Sequence, residues 1–161
     1  MKFHNHPAQG SGTAPAYQVL NVPGLPAYTV PAVNIEGTAY DLGNMTDTYS
    51  GSWADTPQQQ AVATLMWHAA AGMQITFIPN VSLGLSANVP MALTKYFGYD
   101  KGIQIAYRDY YTLEDSAALI KAEIDAGRLV WMGGIDASGT IGKLWSWDLL
   151  SSAHAFVSTP D

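Results

Sequence analysis

Five prolines at positions 7, 15, 23, 26 and 31 set the strongest limit on what this chain can fold into. Proline lacks a backbone N–H and fixes φ at about −65°, so neither a helix of ordinary length nor a central strand can run through residues 7–31. Gly10, Gly12 and Gly24 are interleaved with them. The stretch is therefore expected to be extended loop, with short edge strands at Val19-Leu20 and Tyr28–Val30. Regular helix is expected only further along the chain.

It begins at Thr56. Thr56-Pro57-Gln58-Gln59 supplies an N-cap, a proline at the first helical position and a glutamine three residues after the cap. Val62, Leu65, Met66 and Ala69 recur at helical spacing, and Gly72 supplies the stop. By this phasing His68 lies off the apolar stripe and is expected to be exposed or at the boundary. A second helix is expected from about Asn88 to Phe97, stopping at Gly98. A third starts at a cap resembling a capping box, Thr112-Leu113-Glu114-Asp115, presents Leu113, Ala117, Ile120 and Ile124 on one face, and ends at Gly127. Strands are expected at Gln74–Ile78, Ile103–Tyr107 and Arg128–Met132, with Ile141–Trp147 and Ala153–Val157 pairing as a terminal hairpin. The expected class is α+β, helices packed on a mainly antiparallel C-terminal sheet. A single domain over 1–161 is expected, with 1–55 loop-rich, 56–127 mainly helical and 128–161 sheet.

Composition excludes several chemistries. The chain has 161 residues, 48% of them apolar, and only 12% are charged, about half the ~25% usual for soluble domains. Seven basic and 13 acidic residues leave a net charge of −6, which gives no electrostatic footprint for nucleic acid and no polybasic membrane patch. No window of about 18 consecutive apolar residues occurs, so no membrane span is expected. Met1–Pro7 has no hydrophobic run after Lys2, so it does not read as a signal peptide. There is no cysteine, which removes disulfides, thiolate metal sites, iron–sulfur clusters and a cysteine nucleophile from this chain. His4 and His6 lack suitable further ligands nearby, so no metal site is expected there, and no cofactor is implied.

His154 is the main candidate for chemistry. Ala153–Val157 places an imidazole within an apolar strand flanked by small residues, an arrangement that suits either a satisfied core histidine or a general base. Ser151 and Ser152 are the nearest hydroxyls. Ser152 would share a face with His154 but stand roughly 7 Å away along the strand, and no G-x-S-x-G elbow is present. Trp145 and Trp147 alternate about Ser146 and are candidate substrate contacts.

Several segments, in order, resemble the streptopain-like cysteine peptidases, a bacterial family with a papain-like fold. Met1–Pro7 is similar to the end of that family's central helix. Tyr40–Met45 followed by Thr48–Gly51 is similar to its "Y-[DN]-W-x-N-[MI]…TYSG" segment. Gln60–Met66, Leu93–Tyr99 and Ile124–Gly134 resemble its next helix, its "ALKxxFGY" helix end and the passage before its histidine strand. His154–Val157 resembles "GGHAFV", with Ser152-Ala153 where the family has Gly-Gly. The segment 136–150 has no counterpart that can be aligned.

The resemblance implies a partial papain-like fold in which His154 is the general base and the substrate is a peptide or protein. It also implies a secreted bacterial setting. The family's nucleophilic cysteine stands upstream of the residue equivalent to Met1, so this chain alone is expected to be inactive as a cysteine peptidase. A fold without its central helix would expose apolar surface and favour self-association, strand exchange or a complementing chain. Two other readings compete: an ester or amide hydrolase using Ser or Thr with His154, and a non-enzymatic peptide- or carbohydrate-binding module using the aromatic residues Tyr107, Tyr110, Tyr111, Trp145 and Trp147.

Overall fold

The computed structural model describes residues 1–161 apart from 21, 23, 52, 80, 129, 134–153 and 158–161. The chain forms two compact units, Met1–Asp100 and Lys101–Asp161.

The proline spacing decides the start of the first unit. Strands β1 (Thr13–Ala14), β2 (Tyr17–Val19), β3 (Tyr28–Val30) and β4 (Val33–Asn34) are short, and Pro15, Pro26 and Pro31 fall between them. They form two separate antiparallel pairs, β1 with β4 and β2 with β3, so the inner hairpin is nested between the strands of the outer pair in sequence. In the β2–β3 hairpin Tyr17 faces Val30 and Val19 faces Tyr28, so these four side chains share one face. Val19 and Val30 are buried on it, while Gln18 and Thr29 are exposed on the other face. Leu20, expected within the first strand, lies beyond it and is exposed.

Helix α1 (Pro57–Gly72) starts with the expected capping box. Thr56 Oγ1 accepts from Gln59 N–H at 3.3 Å, and Gln59 Oε1 accepts from Thr56 N–H at 3.2 Å. Its buried residues are Leu65, His68, Ala71 and Gly72. Two expectations are thereby corrected: Met66 is 64% exposed and His68 is 7% exposed. The helix is apolar on nearly every side, so spacing alone does not select the face that packs.

Strands β5 (Thr76–Ile78) and β6 (Val81–Leu83) form an antiparallel hairpin. Helix α2 (Asn88–Tyr96) follows, and Gly98 adopts the left-handed φ of 63° just beyond it. The core of this unit joins Ala14, Val33 and Ile35 from the strand region, Tyr40 and Leu42 from the next segment, Leu65 and Ala71 from α1, and Ala92, Tyr96 and Phe97 from the end of α2. Gly72 lets the helices meet, because a Cβ there would stand 2.8 Å from Tyr96 Cδ2.

In the second unit, Ile103–Tyr107 is not a strand; it runs irregularly into a 3-10 turn at Arg108–Tyr110. Alternation makes a strand only where a ladder partner exists, and none pairs with it among the described residues. Helix α3 (Leu113–Asp125) is capped by Thr112, whose Oγ1 accepts from Asp115 N–H at 3.1 Å and donates to Asp115 Oδ2 at 2.8 Å. The aspartate thus bonds the cap's hydroxyl rather than its backbone N–H.

Ile120 and Ile124 of the expected stripe are half-buried, whereas Leu113 is 74% exposed and Ala117 is also exposed. Length explains the difference. Thirteen helical residues span about 20 Å, while the four residues of β7 (Val130–Gly133), against which α3 packs, span about 13 Å.

Strand β7 pairs with β8 (His154–Val157), and the pairing is parallel. The other three described pairs are antiparallel, so the chain is α+β with mainly antiparallel pairing. A hairpin cannot make a parallel pair; the connection from Gly133 to His154 is long enough for the crossover one requires. Residues 141–147, expected as the partner of the last strand, lie outside the described residues.

Candidate active site

His154 opens β8 and pairs with Val130, the first residue of β7, in the parallel register that continues to Gly133 and Val157. Val130, the residue with which His154 is aligned, is 3% exposed. Ser151, Ser152, Trp145 and Trp147 lie outside the described residues.

The first unit holds two features near the residues that carried the resemblance. Tyr49, Ser50, Gly51, Trp53, Gln59, Val62 and Met66 line an open cleft of about 380 Å³. The Tyr49 hydroxyl fixes one wall by accepting from Thr46 N–H at 3.0 Å and donating to the Gln58 carbonyl at 3.1 Å. Trp53 is 59% exposed at the rim. His6 packs edge-on against Tyr99, with ring centroids 4.7 Å apart, in keeping with a packing role. Among the described residues no group of three or more His, Cys, Asp or Glu side chains is arranged to hold a metal ion.

The second feature is the buried pair Tyr40 and His68, which sequence reasoning missed. Tyr40 Oη and His68 Nδ1 are 2.9 Å apart and the rings meet edge-on, with centroids 5.8 Å apart. Burial pushes the Tyr40 phenol up to about 12 and lowers the His68 imidazole below its usual value. Both groups are therefore neutral at pH 7, as a desolvated hydrogen-bonded pair requires. The two residues are far apart in sequence, and no local motif announces the pair.

The direction of the His68 shift fixes a pH dependence. Its folded-state pKa lies below the unfolded value of about 6.5, so below pH 6.5 the unfolded chain binds more protons. The contribution of His68 is fully present above about pH 6.5 and is lost as pH falls toward the folded pKa, with a slope of at most about 1.4 kcal/mol per pH unit. Urea midpoints measured between pH 7.5 and 5 are expected to fall, and His68→Gln is expected to flatten that slope. An unchanged slope in His68→Gln would reject the assignment.

The architecture is similar to two solved cysteine-protease structures from Prevotella intermedia. Active wild-type interpain A matches with a TM-score of 0.65 and 26% identity, over 86% of this chain and 56% of that one. A prointerpain A fragment carrying a Cys-to-Ala substitution matches with a TM-score of 0.64 and 29% identity, over 84% of this chain and 42% of that one. This chain thus spans about half the length of the structures it matches. No curated protein gives a significant match.

The fold is therefore a partial papain-like cysteine-protease fold. The sequence profile of the Peptidase C10 family matches residues 1–158, nearly the whole chain. The protein belongs to the Peptidase C10 family, the streptopain family, and its 161 residues include no cysteine.

Proposed function

We propose that this chain is the histidine-bearing portion of a streptopain-like peptidase fold, with His154 in the general-base position, and that by itself it performs no cysteine-type peptide hydrolysis. The observation that carries the reading is a Peptidase C10 match extending through His154 in a chain without cysteine. Acyl transfer in such an enzyme needs a thiolate to attack the carbonyl carbon; the imidazole only removes and returns the proton. A base without that sulfur forms no acyl intermediate. The substrate class for the whole fold is peptide or protein, with Trp145 and Trp147 as contacts. Neither the Ser/Thr hydrolase nor the binding module gains support from the family match.

The test is casein digestion by the purified chain, its purity verified by mass spectrometry. Cleavage is expected to stay at the level of buffer alone. Cleavage by verified pure protein that resists serine-protease and metalloprotease inhibitors would overturn the reading.

A further inference from the structure

The outer edge of β5 is not open, and its covering is unusual in chemistry. Ile78 and Val81 are paired with only two residues between them, so they and the Thr76–Leu83 pair direct their backbone groups at each other. The backbone groups of Phe77 therefore point away from β6. An edge of this kind would normally pair with another strand or with water. Here tyrosine hydroxyls from the β2–β3 hairpin occupy it. Tyr28 Oη accepts from Phe77 N–H at 2.8 Å and donates to the Phe77 carbonyl, taking both positions a neighbouring strand would fill. Tyr17 Oη donates to the Ile75 carbonyl. The two tyrosines lie on the buried face of the hairpin beside Val19 and Val30, and the Tyr17 phenol is raised by burial and by its neighbour Tyr28.

We propose that the β2–β3 hairpin is a strap that keeps β5 from pairing with β5 of a second copy of this chain, and that the Tyr17 and Tyr28 hydroxyls hold the strap in place. Val19 and Val30 anchor the hairpin by burial. The hydroxyls make that seating compatible with the polar edge beneath it, since three backbone groups would otherwise lose their partners.

The chain's own sequence identifies the occupant. From Thr56 to Thr94 it carries no Asp, Glu, Lys or Arg, so this segment itself brings no like-charge repulsion to a contact between two copies. Ile75, Thr76, Phe77 and Ile78 are β-branched or aromatic, the composition that pairs readily. An antiparallel β5–β5 contact is self-complementary about a two-fold axis, so one exposed edge suffices for a closed dimer.

The test is the Tyr17→Phe/Tyr28→Phe variant of the full chain, which keeps both rings and removes only the hydroxyls. Light scattering after size exclusion is expected to give self-association about tenfold or more stronger than wild type. Amide exchange at Phe77 is expected to be fast in the dilute variant and protected in its oligomer. Adding Thr76→Lys, which sets like charges across the two-fold axis, is expected to return association to the wild-type level.

A double variant that associates no more strongly than wild type would overturn the proposal, whether its Phe77 amide exchanges fast or slowly. So would association that leaves Phe77 unprotected or that Thr76→Lys does not reverse. If the double variant loses its far-UV signal, Tyr28→Phe alone carries the same readouts with the same meanings.

Discussion

Tyr96→Ala is expected to remove about 3–5 kcal/mol from the stability of the Met1–Asp100 unit, a large part of the ~5–15 kcal/mol typical of a whole domain. Tyr96 is 1% exposed and is among the largest fully buried side chains. Its ring fills the space that Gly72 leaves and touches Gly12 at ordinary van der Waals distance. A Cβ on Gly72 would stand 2.8 Å from Cδ2, and one on Gly12 would stand 3.8 Å from Cδ1. Glycine at positions 72 and 12 offers no side chain to move into the vacated volume, which favours the upper part of the range for loss of a large buried ring. The backbone here is tied as well. The Tyr96 carbonyl accepts from Ser11 N–H at 3.0 Å, and the Lys95 carbonyl accepts from the Ser11 hydroxyl at 3.0 Å. Loosening the end of α2 therefore loosens the strand region that holds Ala14 and Ile35. In urea, at a slope of about 2 kcal/mol per molar, the midpoint is expected to fall by about 2 M. Tyr96→Phe keeps the ring and is expected to cost less than about 1.5 kcal/mol. Equal losses in the two variants would show that the ring's volume is not what matters.

The parts of this fold that could be read in the sequence are those governed by local chemistry. Thr56-Pro57-Gln58-Gln59 begins α1, and Gly98 follows α2 with positive φ, because caps and glycine conformations are decided within one turn of helix. Pro15, Pro26 and Pro31 separate the early strands for an equally local reason. What could not be read depends on partners distant in sequence. In α1, Val62, Leu65, Met66, Trp67, Ala69, Ala70 and Ala71 surround the axis with apolar groups, so the burial of His68 and the exposure of Met66 follow from where Tyr40 and α2 pack. Ile103–Tyr107 has the alternation of a strand and lacks a ladder partner among the described residues. The candidate site divides in the same way. The His154–Val157 strand was legible, whereas its parallel pairing with Val130–Gly133 depends on a crossover that no local pattern encodes.

Gly10→Ala is expected to be as damaging as the loss of Tyr96, through overpacking rather than a cavity. Gly10 is buried, its N–H donates to the Thr38 carbonyl at 2.9 Å, and its carbonyl accepts from Gly37 N–H at 3.1 Å, so its backbone is pinned on both sides. A Cβ at this position would stand 2.5 Å from Ile35 Cγ2, 2.8 Å from the Ile35 carbonyl oxygen and 2.8 Å from Tyr40 Oη. The isoleucine methyl can rotate, but the carbonyl oxygen is backbone and cannot yield without shifting the segment beside β4. Overpacking of this kind costs about 1–3 kcal/mol. Displacing Tyr40 Oη adds a second penalty, because His68 Nδ1 then loses its partner while buried, worth about 1–3 kcal/mol more. A total of about 2–6 kcal/mol is expected in thermal or urea unfolding. Gly43→Ala is the matched control, since a Cβ there meets nothing within 4 Å, and it is expected to change stability by less than about 0.5 kcal/mol. A double-mutant cycle separates the two penalties. Tyr40→Phe already removes the hydroxyl that the new methyl would strike, so Gly10→Ala should cost less in that background, with a coupling of about 1–2 kcal/mol. Strict additivity would place the whole cost on the Ile35 carbonyl and would deny that Gly10 holds the Tyr40–His68 pair in register.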